Sequence, residues 1–167
     1  MKNPLIWVVE DNAEMQKTLE VVFSRLGCQV KVFGLAEAAL ERLENGERPD
    51  VMILDFRLPG ISGPQLFRKM GMDETTRSVP VVPFTSHWGG KTVSDLARDW
   101  ENVATLSITQ AMDELTVVKK LPGNDFSVPE QLIMSVANVL KSSPAGLPKK
   151  YEAAVLDLVN RVMKYIG

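Results

Sequence analysis

The chain has 167 residues, 45% hydrophobic and 24% charged, with 19 basic and 21 acidic side chains giving a formal charge of -2. That length supports one domain with a substantial core plus an appended element, and the slightly acidic balance offers no basic stripe for a phosphate backbone, so no direct nucleic-acid partner is expected. The single cysteine, Cys28, excludes an intramolecular disulfide and a cysteine metal cluster, and the apolar run after Met1-Lys2-Asn3-Pro4 is too short for a signal-peptide core or a membrane span, so the expectation is a cytoplasmic chain without a membrane partner.

Strand and helix patterns alternate from the start, which predicts a doubly wound α/β domain with helices on both faces of a parallel sheet. Leu5 to Val9 is a continuous apolar run of the kind that forms a central strand. Ala13 to Leu26 then carries Met15, Leu19, Val22, Phe23 and Leu26 at helical spacing, with Gly27 as the stop. Gln29 to Phe33 alternates as a strand, Ala36 to Leu43 reads as a helix ended by Asn45-Gly46, and Asp50 to Leu54 reads as the third strand. Pro64 to Met70 is a short helix. Val79 to Phe84 is the fourth strand, where Pro80 can open the strand and Pro83, lacking a donor, implies an irregular end.

Past Thr85 the predicted elements are a Gly89-Gly90 loop, a helix over Val93 to Trp100, a helical turn within Val103 to Leu115, and a strand over Thr116 to Lys120. Pro122 to Asp125 is a turn, and Ser127 is placed to cap a helix through Leu132, Val136, Val139 and Leu140. Ser142 to Pro148, with two prolines and a glycine, reads as a linker. Beyond it Tyr151, Val155, Leu158, Val162 and Tyr165 form one apolar stripe on a last helix.

The chemistry concentrates at strand ends. Leu5-Ile6-Trp7-Val8-Val9 runs into Glu10-Asp11, and Val51-Met52-Ile53-Leu54 runs into Asp55. In open α/β sheets the carboxyl edge of the strands is where ligands bind. Three carboxylates gathered there repel one another and raise one another's pKa unless a cation neutralises them. A hard divalent ion such as Mg2+, which takes oxygen ligands, suits such a cluster.

These runs, with Leu54-Asp55-Phe56-Arg57-Leu58-Pro59-Gly60-Ile61-Ser62-Gly63, Phe84-Thr85-Ser86 and Val117-Val118-Lys119-Lys120, resemble the receiver domain of two-component response regulators over roughly residues 5 to 141. The resemblance implies a flavodoxin-like five-stranded parallel sheet, order 2-1-3-4-5, with residues 1–142 as the receiver; the residue pattern itself adds a linker at 143–148 and an extra C-terminal helix at 149–167, whose stripe is to be buried in a homodimer, against its own receiver, or in a connector to an output domain. It implies that Asp55 accepts a phosphoryl group from a sensor histidine kinase or phosphotransfer protein. Mg2+ would be held by Glu10 (mainly through water), Asp11, Asp55 and the Arg57 backbone carbonyl. Thr85, Ser86 and Lys120 would bind phosphate and switch, with Lys119 the alternative lysine, and Arg57 and His87 would modulate loss of the phosphate. Such a protein is a switch rather than an enzyme, limited to self-catalysed phosphoryl transfer and autodephosphorylation.

Val117 stands where the family carries a switch aromatic, and segment 87–116 is longer than one helix and its loops require. A pseudo-receiver that docks partners without phosphate is the competing expectation. The Asp-x-Asp of Mg2+-dependent phosphatases is absent, since Asp55-Phe56-Arg57 places arginine second, and no phosphate-binding glycine loop opens a helix.

Overall fold

A computed structural model describes residues 3–55, 57–84 and 130–166. β1 (Leu5–Val9), β2 (Gln29–Phe33), β3 (Val51–Asp55) and β4 (Val81–Phe84) form a parallel sheet in the order β2-β1-β3-β4. Between them run α1 (Ala13–Arg25), α2 (Ala36–Glu44) and α3 (Gly63–Met72), and the chain continues with α4 (Glu130–Lys141) and α5 (Lys149–Ile166). The expected elements between Thr85 and Ser127, including the fifth strand over Thr116 to Lys120, lie outside the described residues.

Both faces of the sheet are covered because the central strands are apolar on both. In β1 and β3, Ile6, Val8, Val51 and Ile53 point into a cluster with Leu19 and Phe23 of α1 and Leu132, Val136 and Leu140 of α4. Their neighbours Trp7, Val9, Met52 and Leu54 point the other way, onto Ala36, Ala39 and Leu43 of α2 and Leu66, Phe67 and Met70 of α3. The alternation of side chains along a strand thus builds two cores from one continuous apolar run. Cys28 belongs to the α1 side, and burial pushes its thiol up to about 12, so it serves as packing.

Element ends differ from the sequence reading where side chains or tertiary bonds take over. α1 stops at Arg25, because Leu26 caps it and Gly27 turns away at a φ of 94°. α3 starts one residue early, at Gly63, where Ser62 and Gln65 form a reciprocal capping box with Pro64 in the first turn. β3 begins at Val51 rather than Asp50, whose carboxylate instead accepts the Leu5 N–H at 2.7 Å. β4 begins at Val81 because Val79 closes a turn onto the Thr76 carbonyl.

Pro83 does not end the ladder. It pairs with Leu54, and because the Pro80 carbonyl accepts from Met52 N–H, alternation turns the Pro83 nitrogen away from β3. No β3–β4 bond is lost.

The last helix folds back onto its own domain. Tyr151, Val155 and Leu158 join the core cluster of α1 and α4, the Tyr151 hydroxyl donates to the Ile133 carbonyl, and its ring lies 6.2 Å from that of Phe23. This part of the stripe is therefore covered within the chain, so a twofold contact through the same side chains would require the helix to leave its core. Leu156, Val159 and Met163 remain exposed on the outer face. The Ser142–Pro148 segment is likewise tied down, since Ser143 Oγ donates to Asp50 at 2.9 Å.

Candidate functional site

β1 and β3 are adjacent and in register from Ile6↔Val51 to Val9↔Leu54, so the residues that follow Val9 and Leu54 emerge side by side at the carboxyl edge of the sheet. These are Glu10 and Asp55. Asp11 follows at once, and each of the three carboxylates offers an oxygen within 4.8 Å of the others. Asp11 is exposed, whereas Glu10 and Asp55 are 2% and 5% exposed.

Local bonds hold this arrangement. Asn12 caps α1 by accepting from Met15 N–H at 2.9 Å, and its own N–H donates to Glu10 Oε1 at 3.1 Å. Gln16, one turn into α1, donates its side-chain amide to the Glu10 carbonyl, and Glu10 N–H donates to the Phe33 carbonyl of β2 at 3.0 Å. On the other strand Asp55 Oδ1 accepts from Arg57 N–H at 3.4 Å. No pattern in the sequence marks Gln16, because a lone glutamine on a helix has many uses and only the fold brings it beneath Glu10.

The electrostatics follow from burial. Loss of water around Glu10, then the neighbouring Asp55 charge and finally Asp11, push the Glu10 carboxyl up to about 8, against a bond from Asn12 that favours its ionised form. Its Oε2 is buried and, among the described residues, no donor reaches it. A buried acceptor among like charges is unfavourable unless a proton or a cation satisfies it. The donor set is all oxygen and nearly dry on one side, which fits a hard divalent cation and suits Mg2+ better than a softer metal.

The structure thus brings together Glu10, Asp11 and Asp55, with Arg57 two residues beyond. Thr85, Ser86, His87, Lys119 and Lys120 lie outside the described residues, as does segment 87–116.

A parallel sheet covered by helices on both faces thus carries three acids at the ends of its two central strands. The comparisons agree: the response regulator receiver domain family matches residues 6–99, more than half of the chain, and the chain belongs to that family. The DNA-binding transcriptional regulator NtrC of Proteus hauseri is 25% identical over 87% of this chain, which spans only 31% of that protein's length. In fold, the chain is similar to the chemotaxis response regulator CheY4 of Vibrio cholerae, with a TM-score of 0.61, 17% identity and coverage of 83% of this chain and 100% of that one. It is also similar to the receiver domain of a sensor histidine kinase from Pseudomonas aeruginosa PAO1, described with a magnesium ion coordinated in the active site cleft, at TM-score 0.52, 26% identity and coverage of 59% and 80%. Among the described residues no helix is long and apolar enough to cross a membrane.

Proposed function

We propose that this receiver is a phosphoacceptor switch in which Asp55 takes a phosphoryl group from the phosphohistidine of a sensor kinase or phosphotransfer protein. The observation that carries the reading is the convergence of Glu10, Asp11 and Asp55 within 4.8 Å, with a buried oxygen on Glu10 that no donor reaches among the described residues. Such a cluster favours a cation, and it sets a carboxylate nucleophile beside it.

Asp11, Asp55 and the Arg57 carbonyl would hold Mg2+, with Glu10 acting mainly through a bound water. The ion supplies charge neutralisation for the transferring phosphoryl oxygens. Asp55 forms an acyl phosphate as the bond from phosphorus to the imidazole nitrogen breaks and the histidine is released. Thr85, Ser86 and Lys120 are the residues assigned to the phosphate, with Lys119 the alternative, and Arg57 and His87 to its rate of loss. Residues 1–142 form the receiver in this reading, with 143–148 as linker and 149–167 as the C-terminal helix. Its partners are proteins of a cytoplasmic phosphorelay. The DNA binding in the name of NtrC concerns a much longer protein, and nothing in the charge of these 167 residues favours a nucleic acid.

The test is incubation with phosphoramidate or acetyl phosphate and Mg2+, followed by mass spectrometry of wild type and Asp55→Asn. One added phosphoryl group on wild type, absent from the variant, supports the assignment. Equal labelling of both places the acceptor elsewhere. An unlabelled wild type that also fails to respond to beryllofluoride is a docking module rather than a phosphoacceptor.

A further inference from the structure

The first turn of α2 reaches across to the loop that follows the acceptor strand. Glu37 Oε1 accepts the Ile61 N–H at 2.6 Å, a contact between residues 24 apart in the chain. Gly60, beside it, has a φ of 78°, and a Cβ there would run into Glu37 Oε1 and stand 3.1 Å from both its Cδ and Oε2. Glycine at 60 thus meets two demands. It takes a left-handed conformation that other residues resist, and it leaves room for the Glu37 carboxylate where a side chain would otherwise stand. The Ile61 bond, a charge-assisted one, also holds the Glu37 carboxyl below its usual range, so the group is ionised in neutral solution.

Segment 57–62 is therefore fastened at three points. Arg57 N–H reaches Asp55 at 3.4 Å, Ile61 N–H reaches Glu37, and Ser62 closes the capping box of α3 with Gln65. Leu58 and Ile61 pack against the α2–α3 core. Of the three fastenings, only Glu37 comes from outside the β3–α3 connection.

We propose that Glu37 is a positioning residue for the acidic site: from α2 it fixes the loop that carries the Arg57 carbonyl, and so tunes both cation affinity and the rate of phosphoryl transfer to Asp55. The inference rests on the proposed Mg2+ site and phosphoacceptor reading for its effects on affinity and transfer, and on the loop geometry for the fastening itself. Groups that orient a metal's ligands typically change affinity by 10–100-fold when removed. Glu37 is exposed and water can partly replace it, so the effect belongs at or below the low end of that range.

The experiment compares the 167-residue wild type, Glu37→Ala and Glu37→Gln by calorimetric titration with Mg2+, amide hydrogen exchange at Ile61, and the initial rate of phosphorylation by phosphoramidate at saturating Mg2+. Glu37→Ala is expected to weaken Mg2+ binding about fivefold to tenfold, speed exchange of the Ile61 amide, and slow labelling. Glu37→Gln keeps an oxygen acceptor and is expected to restore most of all three, which a general loss of stability would not do. Mg2+ affinity and Ile61 exchange unchanged in Glu37→Ala, or a glutamine variant as impaired as the alanine one, overturns the proposal. A wild type that is never labelled, with Mg2+ affinity still dependent on Glu37, overturns the phosphoacceptor reading and leaves the positioning role standing.

Discussion

A carboxylate oxygen of Glu10 and one of Asp55 lie within 4.8 Å of each other, both residues nearly dry, at the ends of adjacent parallel strands. The folded pair therefore favours holding a proton, with Glu10 raised to about 8 from its ordinary 4.5 by burial and by the Asp55 charge. The folded state binds a proton that the unfolded chain has released, so stability of the metal-free protein falls as pH rises from about 4.5 to about 8, then levels off. Thermal melts in a chelator between pH 5 and 9 would show this slope, and Glu10→Gln should flatten it. An identical slope in the variant would mean that another group titrates.

Removing the acceptor's charge should stabilise the metal-free fold. Asp55→Asn relieves repulsion with Glu10 and places an amide donor near the Glu10 carboxylate. A gain of about 1 kcal/mol corresponds to a rise of about 2–4 °C in melting temperature for a chain of this size. Scanning calorimetry without divalent ions checks it; an unchanged or lower midpoint counts against the close Glu10–Asp55 approach.

Cation binding should divide unequally between the two acids that follow β1. Asp11→Asn is expected to weaken Mg2+ binding more than Glu10→Gln, because a direct ligand contributes more than one acting through water. Binding should also release protons near neutral pH in wild type and fewer in Glu10→Gln, since the ion displaces the proton that the cluster holds. Titration calorimetry in buffers of different ionisation enthalpy measures both, and equal affinities for the two variants would reject the division of roles.

Deleting residues 149–167 should compromise the receiver rather than release it as a free domain. Tyr151, Val155 and Leu158 are buried against α1 and α4, and losing three such side chains removes on the order of 5–8 kcal/mol. A small domain has a total stability of about 5–15 kcal/mol. Urea unfolding of the truncated chain is the measurement: a transition as late and steep as that of wild type would show that the helix is dispensable. Tyr151→Phe, which loses only the hydroxyl bond to Ile133, should cost about 1 kcal/mol.

At the opposite edge of the sheet, Asp50 accepts from Leu5 N–H and from Ser143 Oγ and so joins β1, β3 and the segment before α5. Asp50→Ala should cost about 1–3 kcal/mol, because the β1 backbone donor is left unpaired, and Ser143→Ala about 1 kcal/mol. Chemical denaturation of the single and double variants should reveal coupling between the two positions, and strict additivity would indicate that the Ser143 bond contributes nothing.

Among the described residues, four strands, the central position of β1 and β3 and the acids at their ends were legible in the residue pattern, although β3 and β4 begin later than that pattern suggests. Strand periodicity and the apolar run before Glu10 and Asp55 are local properties, carried by neighbouring residues and independent of the rest of the fold. β2 and the start of α1 fell where the pattern put them for the same reason. What the tertiary structure decided depends on partners far along the chain. An apolar stripe such as Tyr151–Leu158 states only that it must be covered, and packing against Phe23 and Leu132 chose the covering surface. Pro83 looked disruptive until the direction of its nitrogen relative to β3 was fixed by the ladder. Glu37 carries no signal of its own, since an exposed glutamate in a helix's first turn is ordinary; its bond to Ile61 exists only because α2 and the loop after β3 are brought together by the sheet that both flank.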